Sequence, residues 1–177
     1  MNDQPKTSRL FFALWPAKQT RQAIIEVLSS QSLPVKGRLI IPENLHVTLH
    51  FLGPVSEESK ACMQAAAQSV EAVSFSLELD RFGYFPRAKI FWLGPRETPA
   101  ALAELYRRLG RAIAVCGYPF EARGYTPHIS LMRKCVKPEA GPADFSIPWH
   151  VDEFVLVEST TTASGAHYRV IEKYALS

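Results

Sequence analysis

The chain has 177 residues, of which 47% are apolar and 21% are charged, and its formal net charge is +3. These values are typical of a soluble globular protein, and we expect one domain over residues 1–177. No apolar run approaches the roughly 20 residues that cross a bilayer, and the polar start, MNDQPKTSR, has no apolar core behind it, so we expect a cytoplasmic protein.

In the first part of the chain, the pattern predicts two strands that alternate with two helices. Residues 8–15, SRLFFALW, are a predicted strand, and residues 17–31 are a predicted helix with one apolar side. The next strand includes NLHVTLHFLG, residues 44–53, and is expected to end at Gly53-Pro54. Ser56 is typical of an N-cap, followed by acidic residues in the first turn, and predicts a helix to about residue 72.

The second part of the chain predicts a strand pair, a helix and three further strands. Strands 74–82 and 88–94 are expected to pair with each other. Thr98-Pro99 opens a helix that Gly117 ends, with Leu102, Leu105, Leu109 and Ile113 as its apolar stripe. A strand within YTPHISLMRK follows, then a loop over residues 136–148. The closing strands are DEFVLVES and HYRVIEKYAL.

Three cysteines, Cys62, Cys116 and Cys135, are present. They are odd in number, show no CxxC spacing and follow no secretory signal. This pattern argues against both a disulfide framework and a zinc site. We therefore expect three reduced cysteines that only fill space.

Positive charge is concentrated in residues 81–134, which carry ten Lys or Arg and three acidic residues. A local excess of this kind suits a polyanion such as nucleic acid, because each phosphate contact releases counterions. A solvated helix face at Tyr106-Arg107-Arg108 is the equally acceptable alternative.

Two segments share the pattern His-x-hydroxyl-Leu. His46 and Thr48 lie in NLHVTLHFLG, and His128 and Ser130 lie in YTPHISLMRK, 82 positions later. In a strand, alternate side chains share a face, so each histidine lies on the same face as its hydroxyl. A half-buried strand has a polar face in any case, but the repeat of the pattern asks for a common explanation.

The surroundings of these two segments repeat as well. A predicted strand ends at Leu14-Trp15-Pro16 and is followed by a helix and then by the first motif. Another predicted strand ends at Trp92-Leu93-Gly94-Pro95 and is followed by a helix and then by the second motif. We therefore expect an α+β fold of two pseudo-symmetric halves, each with an antiparallel sheet and helices, and both motifs lining a central cleft.

Two histidines that face one cleft can serve as general base and general acid, since an unperturbed histidine titrates near pH ~6.5. Nearby basic residues suit a reacting phosphoester. A metal site is not expected, because His46 and His50 would lie about 13 Å apart along a strand and no ligand motif is present. Nucleophilic catalysis by Ser or Cys also lacks a supporting motif.

The two motifs, NLHVTLHFLG and TPHISLMR, resemble the signatures of the two-histidine phosphoesterases, specifically the bacterial RNA 2′,3′-cyclic phosphodiesterases, also called 2′-5′ RNA ligases. RLFFALWP, KIFWLG and the closing Tyr-containing strand extend the resemblance over nearly the whole chain. It implies a bilobal α+β fold, no cofactor, and hydrolysis of a terminal 2′,3′-cyclic phosphate on RNA to a 2′-phosphate.

The resemblance also implies site residues. His46 and His128 match the catalytic histidines, with His46 expected as the acid and His128 as the base. Thr48 and Ser130 match the hydroxyl donors of the substrate site, where Ser130 replaces the commoner Thr. Arg133 matches an arginine expected near the phosphate. Strict alternation puts Arg133 on the wrong face, however, unless the strand ends or bulges near Met132.

The expected partner is RNA that ends in a 2′,3′-cyclic phosphate, and we expect a monomer. Among the aromatic residues Phe11, Phe12, Trp15, Tyr125 and Tyr168, Phe11 is the preferred candidate to stack on a base. His50 is expected to be solvated or hydrogen-bonded, and His150 and His167 to lie on the surface. Two alternatives remain: the reverse reaction, 2′-5′ ligation of RNA ends, and a non-catalytic module that binds RNA ends.

Overall fold

The computed structural model describes residues 7–30, 36–120, 124–137, 144–163 and 165–177. Within these ranges the helices are Lys18–Ser30 (α1), Glu57–Gln68 (α2) and Ala100–Ala114 (α3). The strands are Thr7–Leu14 (β1), Arg38–Leu39 (β2), Val47–Ser56 (β3), Phe75–Leu79 (β4), Arg81–Phe85 (β5), Ile90–Gly94 (β6), Ile129–Arg133 (β7), Ile147–Val151 (β8), Glu153–Thr162 (β9) and Gly165–Ala175 (β10).

The strands form two antiparallel sheets. The larger sheet has the order β10-β9-β1-β3-β7-β6-β5, with β2 added beside β7, and the smaller one pairs β4 with β8. None of the described helices is long and apolar enough to cross a membrane. The predicted α+β class with antiparallel sheets is confirmed.

The larger sheet contains an internal repeat centred between β3 and β7. The order β9-β1-β3 on one side corresponds to β5-β6-β7 on the other, and the two sides meet at the pair Val47–Ile129. In β1, Ala13 pairs with Thr48, and in β6, Trp92 pairs with Ser130. Equivalent strands thus support the two motifs, and β10 extends only the first side.

Helices α2 and α3 pack together against β3 of the large sheet, and α1 packs against β8 of the small sheet. The apolar stripe predicted for α3, from Leu102 to Ile113, is fully buried. The N-cap predicted at Ser56 is confirmed, because its side chain accepts a hydrogen bond from the backbone N–H of Ser59. The opposite face of the large sheet carries a smaller apolar cluster of Phe11, Ala13, Val155 and Val157.

Several predicted element boundaries are wrong. The segment 74–82 is two strands, of which β4 leaves for the small sheet and only β5 pairs with β6. β3 continues through Gly53-Pro54 to Ser56, because β1 pairs with it along that length. The segment 136–148 was predicted as a loop, but β8 begins at Ile147. Residues 138–143 of that segment lie outside the described residues.

The prediction of three reduced cysteines is also wrong. Cys62 of α2 and Cys116, just after α3, form a disulfide that joins the two helices. The sequence could not predict this pairing, because the two cysteines are 54 positions apart and come together only when the helices pack. No short spacing motif marks such a pair. Cys135 is a buried free thiol.

Candidate active site

The two motif histidines lie at the centre of the large sheet. Val47 pairs with Ile129 where β3 and β7 meet. Continued by one residue in each direction, this antiparallel register sets His46 across from Ser130 and Thr48 across from His128. Each hydroxyl therefore faces the histidine of the other motif, so the two predicted motifs form one site.

Both imidazole rings are held by the backbone in the same way. Nδ1 of His46 donates to the carbonyl oxygen of Asn44 at 2.7 Å, and Nδ1 of His128 donates to that of Thr126 at 2.8 Å. A carbonyl oxygen can only accept, so in the neutral ring the proton is on Nδ1 and Nε2 carries the lone pair. Each histidine thus offers Nε2 for proton transfer.

Aromatic rings enclose His46 more completely than His128. The His46 ring stacks on Trp15 at 5.4 Å and contacts Phe11 at 4.8 Å and Tyr168 at 5.4 Å. Burial lowers the pKa of His46 from 6.5 to about 4; the bond to Asn44 opposes this, and positive charge on Arg133 and His128 adds to it.

His128 has a less crowded environment. Its ring contacts Phe85 at 4.9 Å and Trp92 at 6.0 Å. Burial lowers its pKa from 6.5 as well, and the hydrogen bond to the carbonyl oxygen of Thr126 opposes that shift. The two halves of the site are therefore chemically unequal, although their backbone supports repeat.

The two hydroxyls differ in their hydrogen bonds. Oγ1 of Thr48 lies 3.0 Å from Nε2 of His46, so the hydroxyl donates to the lone pair of the neutral ring. The carbonyl oxygen of Thr48 accepts from the Tyr125 hydroxyl at 3.1 Å, which fixes the strand beneath this residue. Ser130 lies among the residues that line the cleft beside His46.

A β-bulge brings Arg133 to the cleft. In β7, Ser130 pairs with Trp92 and Met132 with Phe91, so Leu131 is an extra residue without a partner on β6. The extra residue reverses the alternation, turning Met132 into the core and Arg133 toward the His46 side. Arg133 lines a cleft of about 350 Å³ that includes Arg38, Asn44, His46, Ser130 and Tyr168. The condition that sequence alternation set for Arg133, a bulge near Met132, is met.

A second bulge, in β3, changes the expected place of His50. Ala13 pairs with Thr48 and Phe12 with His50, so Leu49 is the extra residue. His50 therefore turns away from His46 and is only 2% exposed. Its Nε2–H donates to the carbonyl oxygen of Tyr106 at 2.8 Å, and burial lowers its pKa. Regular alternation would place His50 on the same face as His46, and this placement is wrong, whereas the expected hydrogen bond of His50 is confirmed.

The same bulge exposes the aromatic ring of Phe51, which regular alternation would place on the apolar side of the strand with Val47 and Leu49. Phe51 is 55% exposed, and it pairs directly with Phe11, so the two rings lie on one face of the sheet. The guanidinium of Arg9 lies 5.6 Å from the Phe51 ring centroid. Phe11 itself is only 3% exposed and packs against His46, so contact with a base would require its neighbours to move.

Sequence reasoning missed Asn44 and the role of the last strand. The side-chain amide of Asn44 donates to the carbonyl oxygen of Ala166 at 2.9 Å, and its own carbonyl oxygen holds His46. Tyr168, on the same strand as Ala166, contacts the His46 ring. Asn44 directly precedes the motif and could have been noticed, but no local signal places a strand from the C-terminal end beside it.

The basic residues of the segment 81–134 are divided in the structure. Arg107 and Arg108 pair with Glu104 on the exposed side of α3, as the solvated-face alternative predicts, and Arg96 pairs with Asp80. Arg133 faces the cleft, and Arg123 lies outside the described residues. Of the exposed histidines, His150 lies on β8, and His167 lines the cleft. No group of three or more His, Cys, Asp or Glu among the described residues could hold a metal ion.

Comparison with known proteins assigns the chain to a family. The model of the 2′-5′ RNA ligase superfamily matches residues 41–163, which include both histidine motifs. The chain belongs to this superfamily. Among its members, the RNA 2′,3′-cyclic phosphodiesterase of Escherichia coli strain K12 is 32% identical over 96% of this chain and 97% of that protein. The RNA 2′,3′-cyclic phosphodiesterase of Thermus thermophilus is 30% identical over 95% of this chain and 90% of that protein.

Superfamily structures share the fold described above. The crystal structure of E. coli LigT in apo form superposes with a TM-score of 0.89 at 32% identity, and covers 97% of this chain and 99% of LigT. LigT has also been crystallised with 3′-AMP, with the same TM-score. The family resemblance of the two motifs is thereby confirmed.

Proposed function

We propose that the protein hydrolyses terminal 2′,3′-cyclic phosphates on RNA to 2′-phosphates. The observation that carries the proposal is the matched pair His46 and His128, each held through Nδ1 where β3 and β7 meet, with Arg133 in the cleft beside His46. The names of the superfamily relatives in E. coli and T. thermophilus support the same substrate.

The proposed reaction is an in-line displacement at phosphorus. The oxygen of a water molecule forms a bond to phosphorus while Nε2 of one histidine takes a proton from that water. The P–O3′ bond breaks, and the other histidine gives its proton to the departing 3′ oxygen. The ring of His46 has the lower pKa and is neutral in the free protein, and its Nε2 already accepts from Thr48. These features favour His46 as base and His128 as acid, the reverse of the assignment suggested by the sequence.

Positive charge and hydroxyl donors would bind the phosphate. Arg133 supplies a guanidinium, which suits the charge that gathers on the phosphoryl oxygens. Thr48 and Ser130, which the register sets beside the opposite histidines, supply O–H donors. We propose no cofactor and no metal in this reaction.

For the nucleobase, the exposed ring of Phe51 is a better surface than the sequence-based candidate Phe11, because a base can stack only on an accessible face. Phe51→Ala should raise KM for RNA by about tenfold, within the range of base–aromatic stacking. An unchanged KM would contradict this base site.

The direction of ring opening gives a direct test of the proposal. An oligonucleotide that ends in a 2′,3′-cyclic phosphate should yield one product, because an acid fixed by the backbone can reach only one of the two ribose oxygens. Phosphorus NMR should show a 2′-phosphate. A 3′-phosphate, or a mixture, would contradict the proposed orientation, and no turnover would contradict the function.

The reverse reaction, 2′-5′ ligation, would use the same groups. A non-catalytic RNA-end binding module would not need two histidines that are each held through Nδ1 with a lone pair on Nε2. We propose that the chain acts as a single-domain monomer in the cytoplasm. Disulfides such as Cys62–Cys116 are more common in proteins of oxidising compartments than in cytoplasmic ones. Measuring whether these two cysteines are oxidised or reduced in cells therefore tests the proposed location.

A further inference from the structure

A group of exposed basic residues lies beside the end of β7, next to the cleft residue Arg133. The N–H of Cys135 donates to the carbonyl oxygen of Lys89 at 3.2 Å, and the N–H of Val136 donates to that of Lys36 at 3.4 Å. These two bonds hold the residues after β7 against the β5–β6 turn and the residues before β2. We call the exposed basic residues gathered there the basic rim: Lys36, Arg87, Lys89, Lys134 and Lys137.

The charges of the basic rim are not neutralised by acidic side chains. Within the described part of the chain, none of its five members forms an ion pair. The arginines of α3 differ, since Arg107 and Arg108 both pair with Glu104. Positive charges that lie together without acidic partners repel each other, and a polyanion bound across them offsets that repulsion. The basic rim is therefore better suited to a polyanion than the exposed side of α3.

Two lysines of the basic rim have backbone conformations that favour other residue types. Lys89 has a φ of +51° and Lys134 has a φ of +52°, and no other residue except glycine has a positive φ in the described ranges. Glycine and asparagine adopt this left-handed region at a lower cost than lysine. Unfavourable backbone conformations persist mostly where they serve a function. Lysine at both positions therefore points to a role for its charge.

The position of the basic rim fits the path of an RNA strand out of the site. In the proposed reaction the cyclic phosphate closes the 3′ end of the RNA, so the strand continues only through the 5′ oxygen of the terminal nucleotide. Arg133 lies in the cleft with His46 and Ser130, and Lys134 follows it directly. For a strand whose end is held beside Arg133, the basic rim is the adjacent positive surface for the remaining phosphates.

We propose that the basic rim binds the RNA phosphates on the 5′ side of the terminal nucleotide, an inference that rests on the proposed function. Contacts to phosphates carry no sequence information, so the basic rim favours oligonucleotide ends over cyclic mononucleotides without selecting a sequence. The substrate class is RNA of several nucleotides.

The test compares a hexanucleotide with a mononucleotide, both ending in a 2′,3′-cyclic phosphate. The variant combines Lys89→Asn with Lys134→Asn, because asparagine removes each charge and tolerates the positive φ. The ratio of kcat/KM for the hexanucleotide to kcat/KM for the mononucleotide should fall about tenfold, as for loss of two phosphate contacts. The slope of log(kcat/KM) against log salt for the hexanucleotide should become shallower by about 1.4, since each contact on a single strand contributes about 0.7.

Arg107→Gln combined with Arg108→Gln is the matched control, since it removes two positive charges from α3, where both arginines pair with Glu104. It should leave the ratio of the two kcat/KM values nearly unchanged. An unchanged ratio in the Lys89→Asn, Lys134→Asn variant, or an equal fall in the control, would overturn the role of the basic rim.

Binding is measured separately, by fluorescence anisotropy of a labelled hexanucleotide that ends in a 3′-phosphate. Its Kd should rise about tenfold in the Lys89→Asn, Lys134→Asn variant and not in the control. Equal Kd values in this variant and the wild type would overturn the proposal. A wild type that hydrolysed neither cyclic substrate would refute the proposed function, whereas the anisotropy would still decide whether the basic rim binds RNA.

Discussion

Substitution of His46 by glutamine should remove part of the acid sensitivity of folding. Burial lowers the pKa of His46 to about 4 in the folded protein, whereas the unfolded chain takes up this proton near 6.5. Between these values the unfolded state binds more protons than the folded state, so the stabilisation is complete above 6.5 and is lost as pH falls toward 4. Between about pH 7.5 and about pH 5, this amounts to ~2 kcal/mol at full burial. Because the ring keeps some exposure, we expect His46 to account for a loss of roughly 1–2 kcal/mol in the free energy of unfolding over this pH range.

Urea unfolding at the two pH values, for wild type and His46→Gln, measures this difference. Other groups titrate in the same pH range, but they contribute equally to both proteins. The loss of unfolding free energy on acidification in wild type, minus the same loss in His46→Gln, therefore gives the contribution of His46. Thr48→Val is the matched control, because it removes the hydroxyl from Nε2 and keeps the ring. If wild type and His46→Gln lost the same stability on acidification, the burial assigned to His46 would be wrong.

Three further predictions concern activity and stability. Turnover should survive exhaustive chelation, because proton transfer by two histidines needs no metal; loss with EDTA and recovery with a divalent ion would contradict this. The pH profile of kcat/KM should be bell-shaped with its maximum below pH 6.5, because the pKa values of both His46 and His128 are lowered; a maximum above 6.5 would contradict the histidine assignment. Replacing Cys62 and Cys116 together by serine should lower the unfolding free energy by about 3 to 4 kcal/mol, since their bond closes a loop over 54 positions; a loss below about 1 kcal/mol in urea unfolding would contradict the disulfide's role.

The central part of the site could be predicted because it depends on local alternation. His46 and His128 directly precede β3 and β7, and Thr48 and Ser130 lie two positions later within those strands, where the period of two holds. The repeat of the motif then predicted that both faces meet in one cleft. The apolar stripe of α3 was predicted for the same reason, since a helix period of 3.6 residues is also a local property.

Beyond the motifs, alternation failed where strands bulge. The extra residues Leu49 and Leu131 follow the two histidines by three positions, and each reverses the faces of the residues that come directly after it. That reversal buries His50, exposes Phe51 and turns Arg133 to the cleft. A leucine at a bulge looks the same in the sequence as a leucine in a regular strand, so only the pairing with β1 and β6 reveals it.

Long-range pairing was the other part that sequence could not give. β4 joins β8 across 68 or more positions, and Cys62 meets Cys116 only because α2 packs on α3. Arg38 likewise reaches the cleft through a two-residue strand, which is too short for a pattern. These contacts depend on tertiary packing that no local periodicity records.

The central claim is that His46 and His128 act as a proton-transfer pair on one phosphate. The most direct measurement is the rate at which His46→Ala and His128→Ala each open the 2′,3′-cyclic phosphate of an RNA oligonucleotide, with circular dichroism to confirm that both variants fold. We predict that each rate falls about 10² to 10⁴-fold below wild type. A folded variant of either histidine that retained nearly wild-type turnover would contradict the two-histidine mechanism.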